Sequence, residues 1–516
     1  MLDNFLTSLD EWDEILSYLE VSLEDDDEKV VKEKRKAISA IALLSPKLTE
    51  LALNALWKNM TTLVPIVEVV NSDGEFFDYH RVLNGRGCWV SHIRSESSSS
   101  VKHFTSSASA DLEITEKFLD DVIRNLKRIR NLRVQVSGKE LELWQMLLAF
   151  LIPRSMVYLL PCLQTLFLAS ANDPQSHPFL GIISYIFSPS LTAITVSGCW
   201  GTSWTTVQHH MNSHHLPNLY RLRYLDDTLE NYPCGIERFT SLRCLVIHDE
   251  EQFYNLSTLV DLAPLNYLRK LAISIQVDDD DLEDPSTLSI MLPELQHLQL
   301  KIGSEETYDL FFRVQLPSLI SLSLEMQHIL EQELPLGSIV ASYPNLCDLI
   351  LHCTEMEDHS YIMSANDFMT IALVRGMKSL KLINIPHKLE ERDIFSLVKS
   401  LPDLHSLTVT GLETIFSVAL IISISQFSNL RCIELPLDFS LLADHRSSEK
   451  MSQSPSQIRK LISPNSSGIP DKSSAKLVLI RNVLHLFPEL EEFGGTGGPM
   501  EELRDLFQVA NNMFIH

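Results

Sequence analysis

An α/β solenoid, in which short parallel strands and their return segments stack coil upon coil, is the fold class this 516-residue sequence predicts. Three observations predict it. The stretch Leu292-Pro293-Glu294-Leu295-Gln296-His297-Leu298-Gln299-Leu300 has the skeleton Pro, Leu, two polar residues, Leu, one polar residue, Leu. That skeleton returns with its lead leucine at Leu163, Leu191, Leu219, Leu242, Leu268, Leu295, Leu319, Leu346, Leu380, Leu404 and Leu430, at intervals of 23 to 34 residues. The residues ahead of the lead leucine agree as well: Leu160-Pro161, Leu216-Pro217, Leu316-Pro317, Tyr343-Pro344 and Leu401-Pro402, with Phe239, Phe427 and Phe487 in the same apolar slot.

Most of these intervals fall in the roughly 20–29 residue period of leucine-rich repeats. The expected architecture is therefore a leucine-rich-repeat solenoid, an irregular horseshoe with a parallel concave sheet. In Leu295-x-x-Leu298-x-Leu300 the last two leucines lie two apart and share one side of a short strand, while residues 297 and 299 face the other way. The proline sets φ where the chain turns into the strand. One unit buries only three or four side chains at about 1.5–3 kcal/mol each, against roughly 1–2 kcal/mol of backbone entropy per ordered residue. Neighbouring units must therefore share a core. The polar positions left on the concave side are candidate target-binding residues: Arg221, Arg223, Arg243, Gln296, Gln299, Ser321, Ser323, His405, Thr408, Arg431 and Glu434. The regular asparagine that follows the strand in many horseshoes is missing, so an irregular arc is expected.

Along the chain, residues 1–70 read as a small helical module. Leu9, Trp12, Ile15, Leu16 and Leu19 form one amphipathic stripe; a second helix runs from about Lys29 to Leu44; Leu48, Leu51, Ala52, Ala55 and Leu56 define a third. Residues 71–111 are poor in pattern and read as a linker. From 112 to 516 the chain reads as the solenoid, with a helical lead-in, a weak first repeat at Ile129, Leu132 and Val134, and a last echo at Phe487-Pro488-Glu489-Leu490. The Ser-, Pro- and Lys-rich stretch at about 441–475 reads as a mobile loop, with Ser454-Pro455 and Ser463-Pro464 as acceptable proline-directed phosphorylation sites.

The formal charge of −26, from 42 basic and 68 acidic residues, argues against nucleic acid and anionic membranes as partners. Eight scattered cysteines with no Cys-x-x-Cys pair, and the lack of a secretory pattern or a bilayer-length apolar run, point to the cytoplasm or nucleus. No catalytic, cofactor-binding or metal-binding residues are expected. Gly494-Gly495-Thr496-Gly497-Gly498 lacks the Lys-Ser/Thr of a phosphate loop, and neither a Gly-x-Ser-x-Gly elbow nor a His-Glu-x-x-His helix occurs. His209, His210, His214 and His215 have no carboxylate or thiolate at metal-ligand spacing and read as a solvated loop between repeats.

Two segments carry a resemblance. Thr7-Ser8-Leu9-Asp10-Glu11-Trp12-Asp13-Glu14-Ile15-Leu16-Ser17-Tyr18-Leu19 is similar to the opening helix of the F-box, with Ser8 and Leu9 where that family has proline. Ala42-Leu43-Leu44-Ser45-Pro46-Lys47-Leu48-Thr49-Glu50-Leu51-Ala52-Leu53-Asn54-Ala55-Leu56-Trp57, followed by Leu63-Val64-Pro65, is similar to the later box segment of fungal members. With the repeats, the chain resembles the F-box/leucine-rich-repeat family. The resemblance implies a non-catalytic substrate receptor of an SCF-type cullin-RING ubiquitin ligase, its box on a Skp-type adaptor and its arc on a protein target. Ile15, Leu16, Leu19, Ile41, Leu44, Leu48, Leu51 and Leu56 are the residues expected to face the adaptor or to build the module's core. The second reading is a repeat scaffold that binds proteins without an adaptor.

Overall fold

A computed structural model describes residues 15–19, 28–60, 77–80, 90–93, 123–136, 158–170, 183–198, 203–225, 235–248, 253–276, 290–303, 311–326, 336–354, 362–442 and 456–514, apart from 45, 312–313, 412–413, 428, 465 and 496–497. The chain divides into two compact units, Met1–Gln252 and Phe253–His516. In the first, strand β1 (Asn59–Met60) pairs in parallel with β4 (Asn131–Val136), and β5 (Thr165–Ser170), β6 (Ala193–Ser197), β7 (Arg221–Leu225) and β8 (Cys244–His248) follow in order. Between β1 and β4 in sequence, β2 (Phe77–His80) and β3 (Val90–Ile93) form an antiparallel pair, so the expected linker at 71–111 contains a hairpin.

The second unit repeats the plan. Its parallel order is β9 (Lys270–Ile275), β11 (His297–Ile302), β13 (Ser321–Met326), β14 (Asp348–Cys353), β15 (Ser379–Ile383), β16 (Ser406–Val409), β18 (Cys432–Glu434), β20 (Lys460–Ile462) and β21 (Glu492–Gly494). Two short parallel pairs lie beside it, β10 (Ile290–Met291) with β12 (Val314–Gln315) and β17 (Phe416–Ser417) with β19 (Leu437–Asp438). With strands on one side and helical returns on the other, the chain is an α/β leucine-rich-repeat solenoid.

The alternation in the sequence is what the packing uses. Leu132, Leu166, Ile194, Leu222 and Leu245 stand side by side across the first sheet, and Leu322, Leu349, Leu380, Leu407 and Ile433 across the second, all fully buried. Each is worth about 1.5–3 kcal/mol when buried, and each completes a cavity that its neighbours open.

Two hydrogen-bond ladders hold the coils in register. Within each unit the carbonyl after the lead residue accepts two amides from the next coil: Gln164 O takes Thr192 N–H and Ala193 N–H, and His405 O takes Arg431 N–H and Cys432 N–H. The second ladder sits just ahead of the lead leucine. Asn218 Nδ2 donates to Pro189 O (3.0 Å), Asn345 Nδ2 to Pro317 O (3.2 Å) and Asn429 Nδ2 to Pro402 O (2.7 Å), while Ser190 Oγ and Ser318 Oγ donate to Pro161 O and Pro293 O (2.9 and 2.6 Å). A polar ladder therefore exists; it precedes the strand instead of following it. Proline suits its acceptor side because only the carbonyl is needed there.

Return helices start where the sequence can cap them. Ser364 Oγ accepts Asp367 N–H (3.2 Å) and Asp367 Oδ2 accepts Ser364 N–H (2.9 Å), opening the helix Ala365–Ile371. One coil on, Asp393 Oδ2 accepts Glu390 N–H (2.8 Å) at the start of the helix Glu391–Ser400. Glu391 Oε1 then accepts Ser417 N–H (2.7 Å) at the head of the next helix, Val418–Ile424, so one coil caps another.

Three expectations change. Leu380 pairs with Leu349 and Leu407, the second leucines of their units, so the lead position of that coil is the fully buried Met377. The intervals around it become 31 and 27 residues in place of 34 and 24. Unbranched methionine fills the slot that leucine occupies elsewhere.

The stretch read as a mobile loop at 441–475 contains a complete strand unit. Ile458 and Leu461 are buried, and Ser463 occupies the third slot, its Oγ accepting Leu437 N–H (2.9 Å). The Ser463 hydroxyl is thus in the core and closed to phosphorylation; Ser454 lies outside the described residues. The glycine turn beyond it also has a packing cause, since a Cβ at Gly495 would collide with the Ser463 carbonyl. Finally, the repeat sheet begins inside the expected 1–70 module, because the helix Pro46–Lys58 runs straight into β1.

Candidate functional site

In the helical module, residues 15–19 and the helices Glu28–Leu44 and Pro46–Lys58 gather around Leu16, Ile38, Ala52 and Ala55. Leu19, Ile41, Leu51 and Leu56 pack against that centre and stay partly exposed. Leu16 and Leu48, at 3% and 1% exposure, are core residues and present nothing to a partner. Ile15, at 44%, and Tyr18, at 77%, form the outward side of the same helical turn. Leu44 ends its helix, and its side chain lies outside the described residues, as do Leu9 and Trp12.

The module is tied to the first sheet by polar contacts. Arg35 Nη2 donates to Asn59 O (3.0 Å), Asn131 Nδ2 donates to Asn59 Oδ1 (2.6 Å), Arg130 N–H donates to Lys58 O (3.0 Å), and Arg128 pairs with Glu50. Burial holds the Arg35 guanidinium below its ordinary pKa.

The open face of the first sheet carries Arg221 and Arg223, both half-buried on β7, with the exposed Arg243 just ahead of β8. Arg133 on β4 belongs with them: its guanidinium lies 4.5 Å from the Phe167 ring centre on β5, and that of Arg221 lies 6.0 Å from Tyr220. The sequence reading missed Arg133, although the signal was present, since it sits between Leu132 and Val134 of the weak first repeat.

On the second sheet Gln299, Ser321, Ser323 and Glu434 face outward from their strands, while Gln296, His405 and Arg431 precede the strands and line the leading edge. Thr408 is a correction. At 3% exposure it is buried, and its hydroxyl donates to Glu434 Oε2 (3.3 Å), so it positions that carboxylate and offers no surface. The sequence reading also missed Lys460, whose Nζ lies 2.9 Å from Glu492 Oε2; that hydrogen bond raises its pKa. Next to it Arg459 Nη1 meets Glu491 Oε1 at 3.3 Å.

Of the four histidines, only His214 and His215 lie in the connecting segment expected from the sequence. His209 and His210 lie on the helix Ser203–Ser213, and His214 Nδ1 donates to His210 O (2.7 Å). Burial, and then the neighbouring His209 and His214, lower the His210 pKa. Among the described residues no group of three His, Cys, Asp or Glu side chains is placed to hold a metal, and no helix is long and apolar enough to cross a membrane.

No protein-family model matches the chain, and neither does any curated protein. Solved structures do. The yeast Rad7–Elc1 complex matches at 14% identity with a TM-score of 0.38, over 75% of this chain and 92% of that one. A leucine-rich-repeat protein of Leptospira interrogans matches at 14% identity with a TM-score of 0.34, over 72% of this chain and 97% of that one. A Bacteroides fragilis protein matches at 15% identity with a TM-score of 0.27, over 54% and 67% of the two chains.

Proposed function

We propose that the chain is a non-catalytic substrate-recognition subunit of a cullin-RING ubiquitin ligase, whose helical module docks on a Skp-type adaptor while the open sheet faces hold a protein target. The observation that carries this is the division of the module's first turn. Leu16 is spent on the module's own core, whereas Ile15 and Tyr18 stand in solvent beside the half-covered Leu19. Two large apolar side chains on one exposed turn favour a partner surface. No nucleophile or metal is invoked; catalysis in this reading is proximity given to chemistry on other subunits. The site of action in this reading is the cytoplasm or nucleus, with a target whose identity is open.

Capture of purified Skp-type adaptor by the full chain tests it. Ile15→Asp with Tyr18→Asp should abolish capture without changing the circular dichroism spectrum. Leu16→Asp is unsuitable as a probe because it would unfold the module. Failure of the wild-type chain to retain adaptor above background would leave the second reading, a repeat scaffold without adaptor binding. One observation favours that second reading: Leu16 and Leu48 are consumed internally, and the module is fastened to β4 through Asn59.

A further inference from the structure

Two consecutive coils of the first unit, where they run toward β7 and β8, leave a cavity of about 400 Å³ between them. One wall is the end of the helix Ser203–Ser213 with the segment through His214, His215 and Pro217 that leads to β7. The other is Arg238, which ends the short 3-10 turn Ile236–Arg238, with Phe239, Thr240 and Ser241 ahead of β8. Pockets of roughly 300–1,000 Å³ suit small molecules.

The walls are fixed to each other before any ligand arrives. Asn212, on the first wall, abuts Gly235 so closely that a Cβ there would collide with the amide, and Gly235 takes a φ of +87°, a conformation that favours glycine. The His214 ring stands edge-on to the buried Phe187 at 5.9 Å, and its Nδ1 donates to His210 O at 2.7 Å. That bond leaves Nε2 as the ring's remaining polar atom.

Among the described residues, the ionisable side chains of the walls are all bases: Arg238, His214 and His215. Thr240 and Ser241 bring hydroxyls from the same coil as Arg238, while Pro217 and Phe239 supply apolar surface. Arg238 is exposed, and no described side chain pairs with its guanidinium. Glu237, its neighbour on the turn, is not part of the walls. Asp226, Asp227 and Glu230, which precede the turn in sequence, lie outside the described residues.

From this we propose that the cavity binds the phosphate group of a small organic phosphate, with the carbon portion of the ligand against Pro217 and Phe239. A guanidinium fork beside two hydroxyls offers donors in several directions, which a tetrahedral oxyanion uses more fully than a planar carboxylate. A bare ion would leave the apolar surface in water.

The test is ligand-observed NMR titration of the full chain with phenyl phosphate, beside phenol, benzylamine and inorganic phosphate. Phenyl phosphate should bind at least about tenfold more tightly than phenol or benzylamine, as expected for charge-assisted hydrogen bonds. It should exceed inorganic phosphate by about threefold or more, because the ring buries apolar area. Arg238→Gln should remove the advantage over phenol, and Arg238→Lys should keep part of it. Thr240→Ala with Ser241→Ala should weaken phenyl phosphate by about fivefold, as for lost hydrogen bonds. Equal binding of phenyl phosphate and phenol, tighter binding of benzylamine, or an unchanged advantage in a correctly folded Arg238→Gln variant would each overturn the proposal. Inorganic phosphate binding as tightly as phenyl phosphate would overturn the assignment to an organic phosphate. If Arg238→Gln does not fold, the variant lacking both hydroxyls carries the test, and undiminished binding there overturns the site. Neither result bears on adaptor capture by the helical module.

Discussion

The two units share one backbone plan and differ in how their open faces handle charge. On the first, arginines stand on strands free of carboxylates. On the second, cations are met by acids within the sheet: Lys460 by Glu492, Arg459 by Glu491, and, ahead of β11, Arg269 by Glu294 at 3.8 Å. The same alternation of buried and outward positions can therefore carry outward residues of quite different charge. The difference lies wholly in outward residues, which the core does not constrain.

The largest effect should appear where the units are alike. Leu222→Ala in the first and Leu407→Ala in the second each empty a fully buried slot between adjacent coils. Each should cost about 2–5 kcal/mol, measured by urea unfolding with hydrogen exchange to locate the opened unit. A unit that tolerates the change would break the claim that both are packed equally.

Removing a rung of the ladder should matter less. Asn218→Ala in the first unit and Asn345→Ala in the second each remove a side-chain donor to a proline carbonyl of the preceding coil, with a loss of about 1 kcal/mol expected in the same assay. No loss at either site would mean that water replaces the rung.

Acid should loosen the second unit around one buried histidine. His387 in the second unit stacks on Phe416 at 6.2 Å, its Nδ1 accepts Leu389 N–H, and its buried Nε2 has no hydrogen-bond partner among the described residues. Burial lowers its pKa below the ordinary histidine value. The folded state thus favours the neutral ring. Its contribution is intact above the unfolded-state pKa of about 6.5 and is lost as pH falls from there through the lowered folded-state value. Hydrogen exchange between neutral pH and pH 5, corrected for intrinsic rates, should show the second unit loosening around β15. His387→Phe should remove that component, and an unchanged acid response in this variant would refute the assignment.

The smallest effect is expected at the exposed pair on β20 and β21. Glu492→Gln should change stability by less than about 1 kcal/mol, and by nothing measurable at high salt, because both side chains are about half exposed. A larger loss would mean that the second face is stiffened by its ion pairs.

Much of this could be read from the sequence. Lead leucines at a steady period, prolines ahead of them and the weak repeat at Ile129 all correspond to strands, because burial on one side of a short strand demands apolar residues two apart whatever the neighbours are. The failures have one cause. Met377 and Ser463 fill slots normally held by leucine, and a pattern search that expects leucine slips by three residues at the first and overlooks the strand at the second. Asn218, Asn345 and Asn429 were visible between their prolines or serine and the lead leucine, but a ladder is a relation between coils. No single repeat displays it.

Sequence alone determined the strand alternation, the number of residues per coil in most units and the acidic balance of the chain, since each follows from local composition and period. Only the tertiary structure decided which of the module's apolar residues face inward, that Thr408 is covered by its neighbours, that Asn59 joins module and sheet, and that Arg133 stands with Arg221 and Arg223. The physical reason is that burial and charge environment are set by side chains from coils far apart in the chain, brought together when the sheet forms.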